Sequence, residues 1–532
     1  MINKSKRYIR ECHALERMSI LEGKQVYFDS MAEMLTVRAR EIPDKVHIYY
    51  YDEVITYAQT NERSNRVANY LKDKGVRKGD IVSIMILNSP ECYYSTFGTQ
   101  KLGAIAGQVN YMLAGPEIAY VLNDSKPKVA FVGSEFMANF AKGYEMAEHK
   151  PIVVEVVTEV EHGLEIAETT MTDILTRYPA DEALVPQSGS DPFMLMYSSG
   201  TTGKPKGVLL SNRNQFANCK DMARFGVIKP DAVFLLLAPM FHTSPLCVWS
   251  YPLTYMGVAI CIRKAFSPTD FWPSVIRYGV TVTWGTPAMY MFVMYQVDTS
   301  TLDYDKVKLK LAFAGGAPVF KELIMDFKEK FGVEVVDGYG LTEGCGVATS
   351  CCNIPLKLGS IGQALFEQEM EIMDADNNIL PYGVKGEICI KGECVMLEYL
   401  NQPEATAEAI KDGWLHTGDL GTMDEQGYLY YDGRLKEMIN RGGENIYPRE
   451  IELPLESHPK IAEVAVVGVP DPALGERVKA CIVLKQAGTM TEQEVKDFLK
   501  ENIARYKVPE IVQFYDVFPR NASGKVMKQE LK

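Results

Sequence analysis

The stretch Phe193-Met194-Leu195-Met196-Tyr197-Ser198-Ser199-Gly200-Thr201-Thr202-Gly203-Lys204-Pro205-Lys206-Gly207 governs how the rest of the chain is read. Its opening residues form an unbroken apolar run, the pattern of a buried strand. Hydroxyls, glycines and lysines follow. Glycines let backbone N–H groups converge on one point, hydroxyls add donors, and the ammonium groups of Lys204 and Lys206 bring the positive charge that a polyphosphate needs. The sequence therefore predicts a strand that delivers a phosphate cradle. It is not a Walker loop, which requires G-x-x-x-x-G-K-[ST]; here the glycines stand at 200 and 203, and Pro205 follows Lys204. On this stretch alone, a Gly/Ser-rich surface linker is the competing reading.

Composition narrows the classes. A chain of 532 residues exceeds what one core holds, so roughly two to four domains or subdomains are expected. Hydrophobic content of 47% and charged content of 23% fit a soluble globular protein. A net charge of −13 argues against nucleic acid as the main partner. No apolar run approaches about 18 residues, so no membrane span is expected. Met1 to Ser30 is studded with Lys, Arg and Glu and lacks the apolar core of a secretory signal. The 11 cysteines are scattered and show no metal-ligand spacing, which points to reduced thiols and a cytoplasmic setting.

The segments on either side fit a parallel sheet wrapped by helices. Glu62 to Asp73 has helical spacing. Ile81–Leu87, Val129–Val132 and Ile152–Val157 read as buried strands. Val233–Ala238 is a further strand and runs into Pro239-Met240-Phe241-His242. His242 thus stands where open α/β sheets place ligands, although a lone histidine is as readily structural. Val280–Pro287 and Leu309–Ala314 repeat the design, the latter ending in Gly315-Gly316-Ala317, where small residues let a flat ring approach the backbone. Val333–Val336 ends in Asp337-Gly338-Tyr339-Gly340-Leu341-Thr342-Glu343. Tyr339 could stack on a base, Thr342 could donate to a phosphate, and Glu343 could hold Mg²⁺. Taken alone, Tyr-Gly is turn chemistry.

From about residue 355 to 435 the pattern alternates with period two, predicting a small antiparallel subdomain that carries Thr417-Gly418-Asp419. A carboxylate on a glycine turn suits a ribose diol. The tail adds strands at Val464–Val469 and Ala480–Leu484, and a helix opened by the capping box Thr491-x-x-Glu494 that buries Val495, Phe498, Leu499 and Ile503. Near its end stands Ala522-Ser523-Gly524-Lys525. By itself, Lys525 reads as a solvated lysine in a floppy tail.

The loop at 197–207, Gly338–Glu343, Thr417–Asp419, Gly433–Glu437 and Ala522–Lys525, taken in this order, resemble the adenylate-forming superfamily: acyl- and aryl-CoA synthetases, firefly luciferase and peptide-synthetase adenylation domains. The resemblance spans nearly the whole chain. It implies an α/β fold, with a large N-terminal domain of parallel αβ-sheet subdomains plus a small β-barrel-like subdomain over residues 1–435, and a small mobile α+β C-terminal domain over 436–532. It also implies that Ser198, Ser199, Gly200, Thr201, Thr202, Gly203 and Lys206 cradle the ATP β- and γ-phosphates. Gly315, Gly316, Ala317, Asp337, Gly338 and Tyr339 would enclose adenine. Thr342 would meet the α-phosphate and Glu343 would hold Mg²⁺. Asp419, assisted by Arg434, would bind the ribose. Lys436 would be the hinge, Lys525 the catalytic lysine, His242 the pocket histidine, and Gly442 and Gly443 the border of the thiol channel.

The implied activity is ATP-dependent conversion of a carboxylic acid to acyl-AMP with loss of pyrophosphate, then transfer to CoA. Peptide-synthetase domains carry an Asp near the position of His242, so a free amino acid is disfavoured. With no carrier domain after Lys532, CoA is the expected acceptor; a carrier protein or a luciferase-like oxidation are the alternatives. Lining expected from His242, Trp284, Gly315, Gly340, Cys345, Gly346 and Val347, with small residues at 344–346, suggests room for a medium-chain fatty, aromatic or alicyclic acid. Oligomeric state is left open, a homodimer among its options.

Overall fold

The computed structural model describes residues 28–532 apart from 158–165, 199–204, 301, 318, 320, 353, 356, 442–443, 473 and 522–523. Two large sheets form the body. One runs Glu398–Tyr399, Lys206–Ser211, Pro192–Ser198, Ile105–Gln108, Ile81–Met85, Val129–Gly133, Ile152–Val156 and Ala167–Thr170. Its centre is parallel, and Pro192–Ser198 turns back on Lys206–Ser211 as an antiparallel pair. The cradle stretch therefore belongs to a hairpin on a parallel sheet, with Ser198 opposite Lys206. Phe193, Met194, Leu195 and Met196 are all buried, as their unbroken apolar run requires.

The second sheet runs Gln363–Ala364, Thr349–Ser350, Glu334–Tyr339, Leu311–Gly315, Val282–Gly285, Val233–Leu236, Ala259–Ile262, Val46–Tyr50 and Glu53–Thr56. Its interior pairs are parallel. Several candidate stretches leave this sheet at the carboxyl ends of neighbouring strands: the 239–244 segment after Val233–Leu236, Gly285-Thr286 after Val282, Gly315-Gly316 after Leu311, and Tyr339-Gly340 after Glu334. Parallel strands put those ends on one edge, which is why stretches far apart in sequence meet.

A third, antiparallel sheet holds Gln368–Met373, Gly386–Gly392, Trp414–Met423, Ile410–Lys411 and Leu429–Arg434. A fourth holds Glu444–Ile446, Ile439–Arg441, Gly475–Leu484, Ile461–Asp471 and Ile511–Tyr515. The single 3₁₀ turn Leu435–Glu437, carrying Lys436, joins the last strand of the third sheet to the first of the fourth. The fourth sheet has its own core around Val466, Val478, Ala480 and Ile482, against Val495 and Leu499 of the helix Glu492–Asn502. That helix opens as expected: the Thr491 side chain accepts from the Glu494 N–H at 3.3 Å, and the Glu494 carboxylate accepts from the Thr491 N–H at 2.7 Å. Ile503 follows the helix as its cap, and Phe498 is half-buried, edge-on to His458.

Several boundaries differ from the sequence reading. The predicted helix 62–73 begins earlier, at Tyr57. Thr56 caps it, accepting from the Gln59 N–H at 3.2 Å, a T-x-x-Q capping box that the apolar periodicity does not register. The strand read as ending at Val336 continues through Asp337-Gly338-Tyr339, because Gly338 pairs with Gly315 on one side and Ser350 on the other. Tyr-Gly here closes a strand.

Candidate active site

Asp419 is the first focus of the candidate site. Its strand, Trp414–Met423, carries it beside Arg434 of the next strand, the two residues being direct cross-strand partners. The carboxylate accepts from the Tyr339 hydroxyl at 2.7 Å and faces the Arg434 guanidinium at 3.2 Å. Burial raises its pKa, while Arg434, the Tyr339 hydrogen bond and Lys525 oppose that rise. Tyr339 lies against Tyr431, ring centroids 6.3 Å apart. A flat ring, a carboxylate and a guanidinium thus share one wall.

Glu343 forms a second focus. Its carboxylate accepts from the Ser198 hydroxyl at 3.3 Å and from the Tyr399 hydroxyl at 3.0 Å. Its own carbonyl accepts from the Met396 N–H, which anchors the turn. Thr342 accepts from the Thr243 hydroxyl at 2.9 Å. Lys206 lies over the Tyr399 ring, its amine 4.6 Å from the centroid. The hairpin that carries Ser198 and Lys206 therefore meets the Thr342-Glu343 turn. One half-buried carboxylate among hydroxyls is the donor set that suits Mg²⁺, which binds through one or two carboxylates together with substrate phosphates.

Between these foci lie the small residues. A side chain at Gly315 would stand 2.8 Å from the Gly338 carbonyl oxygen. Gly316 has φ +79° and no backbone freedom for a larger residue; a Cβ there would lie 3.9 Å from both Trp284 and the Lys525 stem. Asp337 is buried, and burial raises its carboxyl pKa to about 8.

Lys525 reaches this place from the tail. Its described neighbours are tied together: Asn521 accepts from the Lys525 N–H at 2.9 Å, Arg520 donates to the Gly524 carbonyl at 2.7 Å, and Arg520 bridges to Val526. Gly524 has φ +80°, and a Cβ there would stand 3.3 Å from the Thr286 hydroxyl. The tail turn thus rests on the ends of the strands Val282–Gly285 and Leu311–Gly315. Solvent reaches Lys525, so its surroundings are those of an open cleft and not of a dry core. The cleft walls, then Arg434, lower its pKa, and Asp419 and Glu343 oppose them. Its charge also acts on His242, whose pKa falls to about 4, chiefly through burial. His242 is therefore neutral at pH 7, and its Nε2 has no hydrogen-bond partner among the described residues.

Two expectations change. Cys345 does not line the cleft: its thiol is fully buried and donates towards the Gln215 side-chain oxygen at 3.6 Å. The small residues after Tyr339 mark close packing, not space. A Cβ at Gly340 would fall 1.8 Å from the Gly346 carbonyl oxygen, and one at Gly346 would fall 2.5 Å from Val248. Ser199, Gly200, Thr201, Thr202 and Gly203 of the cradle, and Gly442 and Gly443, lie outside the described residues. Thr243, Thr286, Tyr399 and Tyr431 were not foreseen. Tyr399 in particular carries no local signal, since only its pairing with Val208 brings it to Glu343.

Residues 35–400 match the AMP-binding enzyme family, and residues 450–525 match the AMP-binding enzyme C-terminal domain. The chain belongs to the AMP-binding enzyme family. Among its relatives within that family, it is 34% identical over 487 residues to the long-chain-fatty-acid–CoA ligase FadD13 of Mycobacterium tuberculosis, covering 90% of this chain and 93% of that one. It is 35% identical over 492 residues to a crotonobetaine/carnitine–CoA ligase of Salmonella typhimurium, with the same coverage of 90% and 93%. The ATP-bound crystal structure of MatB from Rhodopseudomonas palustris superposes with a TM-score of 0.85 at 28% identity, covering 95% of this chain and 98% of that one. The AMP-binding enzyme described here contains no helix, among its described residues, long and apolar enough to cross a membrane.

Proposed function

We propose that this AMP-binding enzyme is an AMP-forming acid–thiol ligase. A substrate carboxylate oxygen attacks the ATP α-phosphorus, a P–O bond to the β-phosphate breaks, and acyl-AMP and pyrophosphate form. The CoA thiol then loses its proton and attacks the acyl carbonyl; the bond to AMP breaks, giving acyl-CoA and AMP. The observation that supports this most is the tail lysine, Lys525, brought to the strand ends of another sheet, where a Cβ on Gly316 would lie 3.9 Å from its Cε and one on the neighbouring Gly524 3.3 Å from the Thr286 hydroxyl. Two anions must approach each other in the first step, so the cleft must offset negative charge as it builds. A fixed ammonium opposite bound phosphates meets that need.

In this reading Ser198 and Lys206, with the intervening loop, hold the β- and γ-phosphates. Gly315, Gly316, Ala317, Asp337, Gly338 and Tyr339 take the adenine, Asp419 and Arg434 the ribose, and Thr342 the α-phosphate. Glu343 would hold Mg²⁺, which when bound supplies charge neutralisation at the phosphates. Neutral His242 would sit beside the acid, and Gly442 and Gly443 beside the thiol. Residues 1–435 and 436–532 act as two bodies, and Lys436, on its short turn, absorbs the rotation that withdraws Lys525 before thiol attack. The acid is a medium-chain fatty, aromatic or alicyclic carboxylate, a class supported by the Trp284 ring that lies beside Gly315 and Gly316. Every described cysteine is free and buried, in keeping with a reducing, cytoplasmic setting.

The test is a panel of such acids with ATP and Mg²⁺, read as pyrophosphate release, followed by CoA and mass detection of the thioester. Pyrophosphate without thioester would transfer the second step to another acceptor. No pyrophosphate with any acid would overturn the reading.

A further inference from the structure

The turn that presents Asp419 is itself held from behind. Along the pair of strands Gly386–Gly392 and Trp414–Met423, Cys389 faces His416 and Glu387 faces Leu420. Four residues on one strand thus span what two span on the other, and Thr417-Gly418-Asp419 form a bulge. Bulges re-aim side chains beside active sites, but one this wide leaves backbone groups without ladder partners. Glu387 and its neighbour supply them. The Glu387 Oε1 accepts from the Gly418 N–H at 2.8 Å, and the Ile388 carbonyl accepts from the Thr417 hydroxyl at 2.7 Å. Thr417 in turn accepts from the Asp419 N–H at 3.1 Å. Gly418 sits at φ +71°, a left-handed conformation that glycine adopts without strain.

The other Glu387 oxygen, Oε2, lies 2.7 Å from His416 Nδ1, and the imidazole is largely buried. Cys389 Sγ is 3.6 Å from the same nitrogen. The ligand atoms of Glu387, Cys389 and His416 lie within 4.8 Å of one another, the spacing of a metal site. The distances favour a brace: both carboxylate oxygens are engaged in hydrogen bonds, one to the backbone of the turn and one to the imidazole.

We propose that Glu387, oriented by His416, is a positioning residue that fixes the Thr417–Asp419 bulge and thereby aims the Asp419 carboxylate at the ribose hydroxyls of the nucleotide. This rests on the assignment of Asp419 to the ribose, given above. Glu387 touches no substrate; it acts through the Gly418 N–H. Its signature is therefore discrimination between ATP and 2′- or 3′-deoxy-ATP in pyrophosphate release, which a residue of merely structural value would not move.

Asp419→Ala sets the reference and is expected to lower the preference for ATP over the deoxynucleotides roughly ten- to a hundredfold, the range for a hydrogen bond to a charged group. Glu387→Ala should lower that preference towards the same value, raising KM for ATP more than it lowers kcat. Added to Asp419→Ala, it should change the preference by less than about twofold, because both changes remove one interaction. Glu387→Gln keeps an oxygen for the Gly418 N–H and should retain most of the preference; it also serves if Glu387→Ala does not fold. If Asp419→Ala leaves the preference unchanged, the ribose assignment fails. If Asp419→Ala lowers it while folded Glu387→Ala keeps it, or Glu387→Gln loses it as fully as Asp419→Ala, the positioning role is overturned. If zinc added to the metal-stripped enzyme binds stoichiometrically and Cys389→Ser abolishes that binding, the cluster is a metal site and the brace is refuted.

Discussion

Lys525→Ala is the sharpest perturbation of the proposed chemistry. The amine stands in a cleft where Asp419 and Glu343 draw positive charge and Arg434 repels it. Arg434 cannot take its place, since its guanidinium is already engaged with Asp419 at 3.2 Å. A unit charge about 4 Å from developing negative charge is worth ~4 kcal/mol at an effective dielectric near 20. Removing one preorganised stabilising group costs about 10²–10³ in rate, or roughly 3–4 kcal/mol. Adenylation, measured as pyrophosphate release with saturating acid and ATP, should fall by that factor. Lys525 is exposed, and its backbone N–H bond to Asn521 survives the substitution, so thermal stability should change by less than about 0.5 kcal/mol. Thioester formation from added acyl-AMP and CoA should stay within about threefold of wild type, because in this reading Lys525 has left the reacting atoms before the thiol attacks. The same lysine predicts a pH limb. Its pKa is lowered from 10.5, so the ammonium, and adenylation with it, is lost as pH rises through a value below the ordinary lysine range. An equal fall in both half-reactions, or no fall in the first, would refute the reasoning.

Three further outcomes are expected. Glu343→Gln removes the carboxylate that meets Ser198 and Tyr399, and should raise the Mg²⁺ concentration for half-maximal pyrophosphate release at least tenfold, to order of magnitude, as read from a Mg²⁺ titration. Gly340→Ala would push a methyl against the Gly346 carbonyl oxygen, 1.8 Å away, so the enzyme should lose roughly 1–3 kcal/mol or more of stability, seen as a lower melting temperature, and most of its adenylation rate. His47 is buried between Thr60 and Thr254, and burial lowers its pKa from 6.5 to about 3. The folded state therefore keeps it neutral while the unfolded chain takes a proton, so its contribution is complete above pH 6.5 and is lost as pH falls towards 3. Between pH 7 and pH 5 this amounts to about 2 kcal/mol, and His47→Gln should shrink the difference in urea midpoint between those two pH values.

The sequence alone carried the local chemistry. The unbroken apolar run Phe193–Met196 reads as a buried strand delivering a polar stretch, and strand after strand breaking into Gly-rich segments reads as a parallel sheet. The capping box at Thr491 and the alternating strands after residue 355 were legible for the same reason: hydrogen bonding and side-chain alternation act over a few residues. What the tertiary structure decided is how residues distant in sequence meet. Tyr399 reaches Glu343 only because its short strand pairs with Val208, and Thr243 reaches Thr342 only because their segments adjoin in the fold. The crowding of Gly340 and Gly346, and the turning of Cys345 into the core, depend on backbone contacts that no window of sequence contains. Glu387 is the clearest instance. In sequence it is one carboxylate in an alternating strand; a two-residue mismatch in register makes it the support of Asp419.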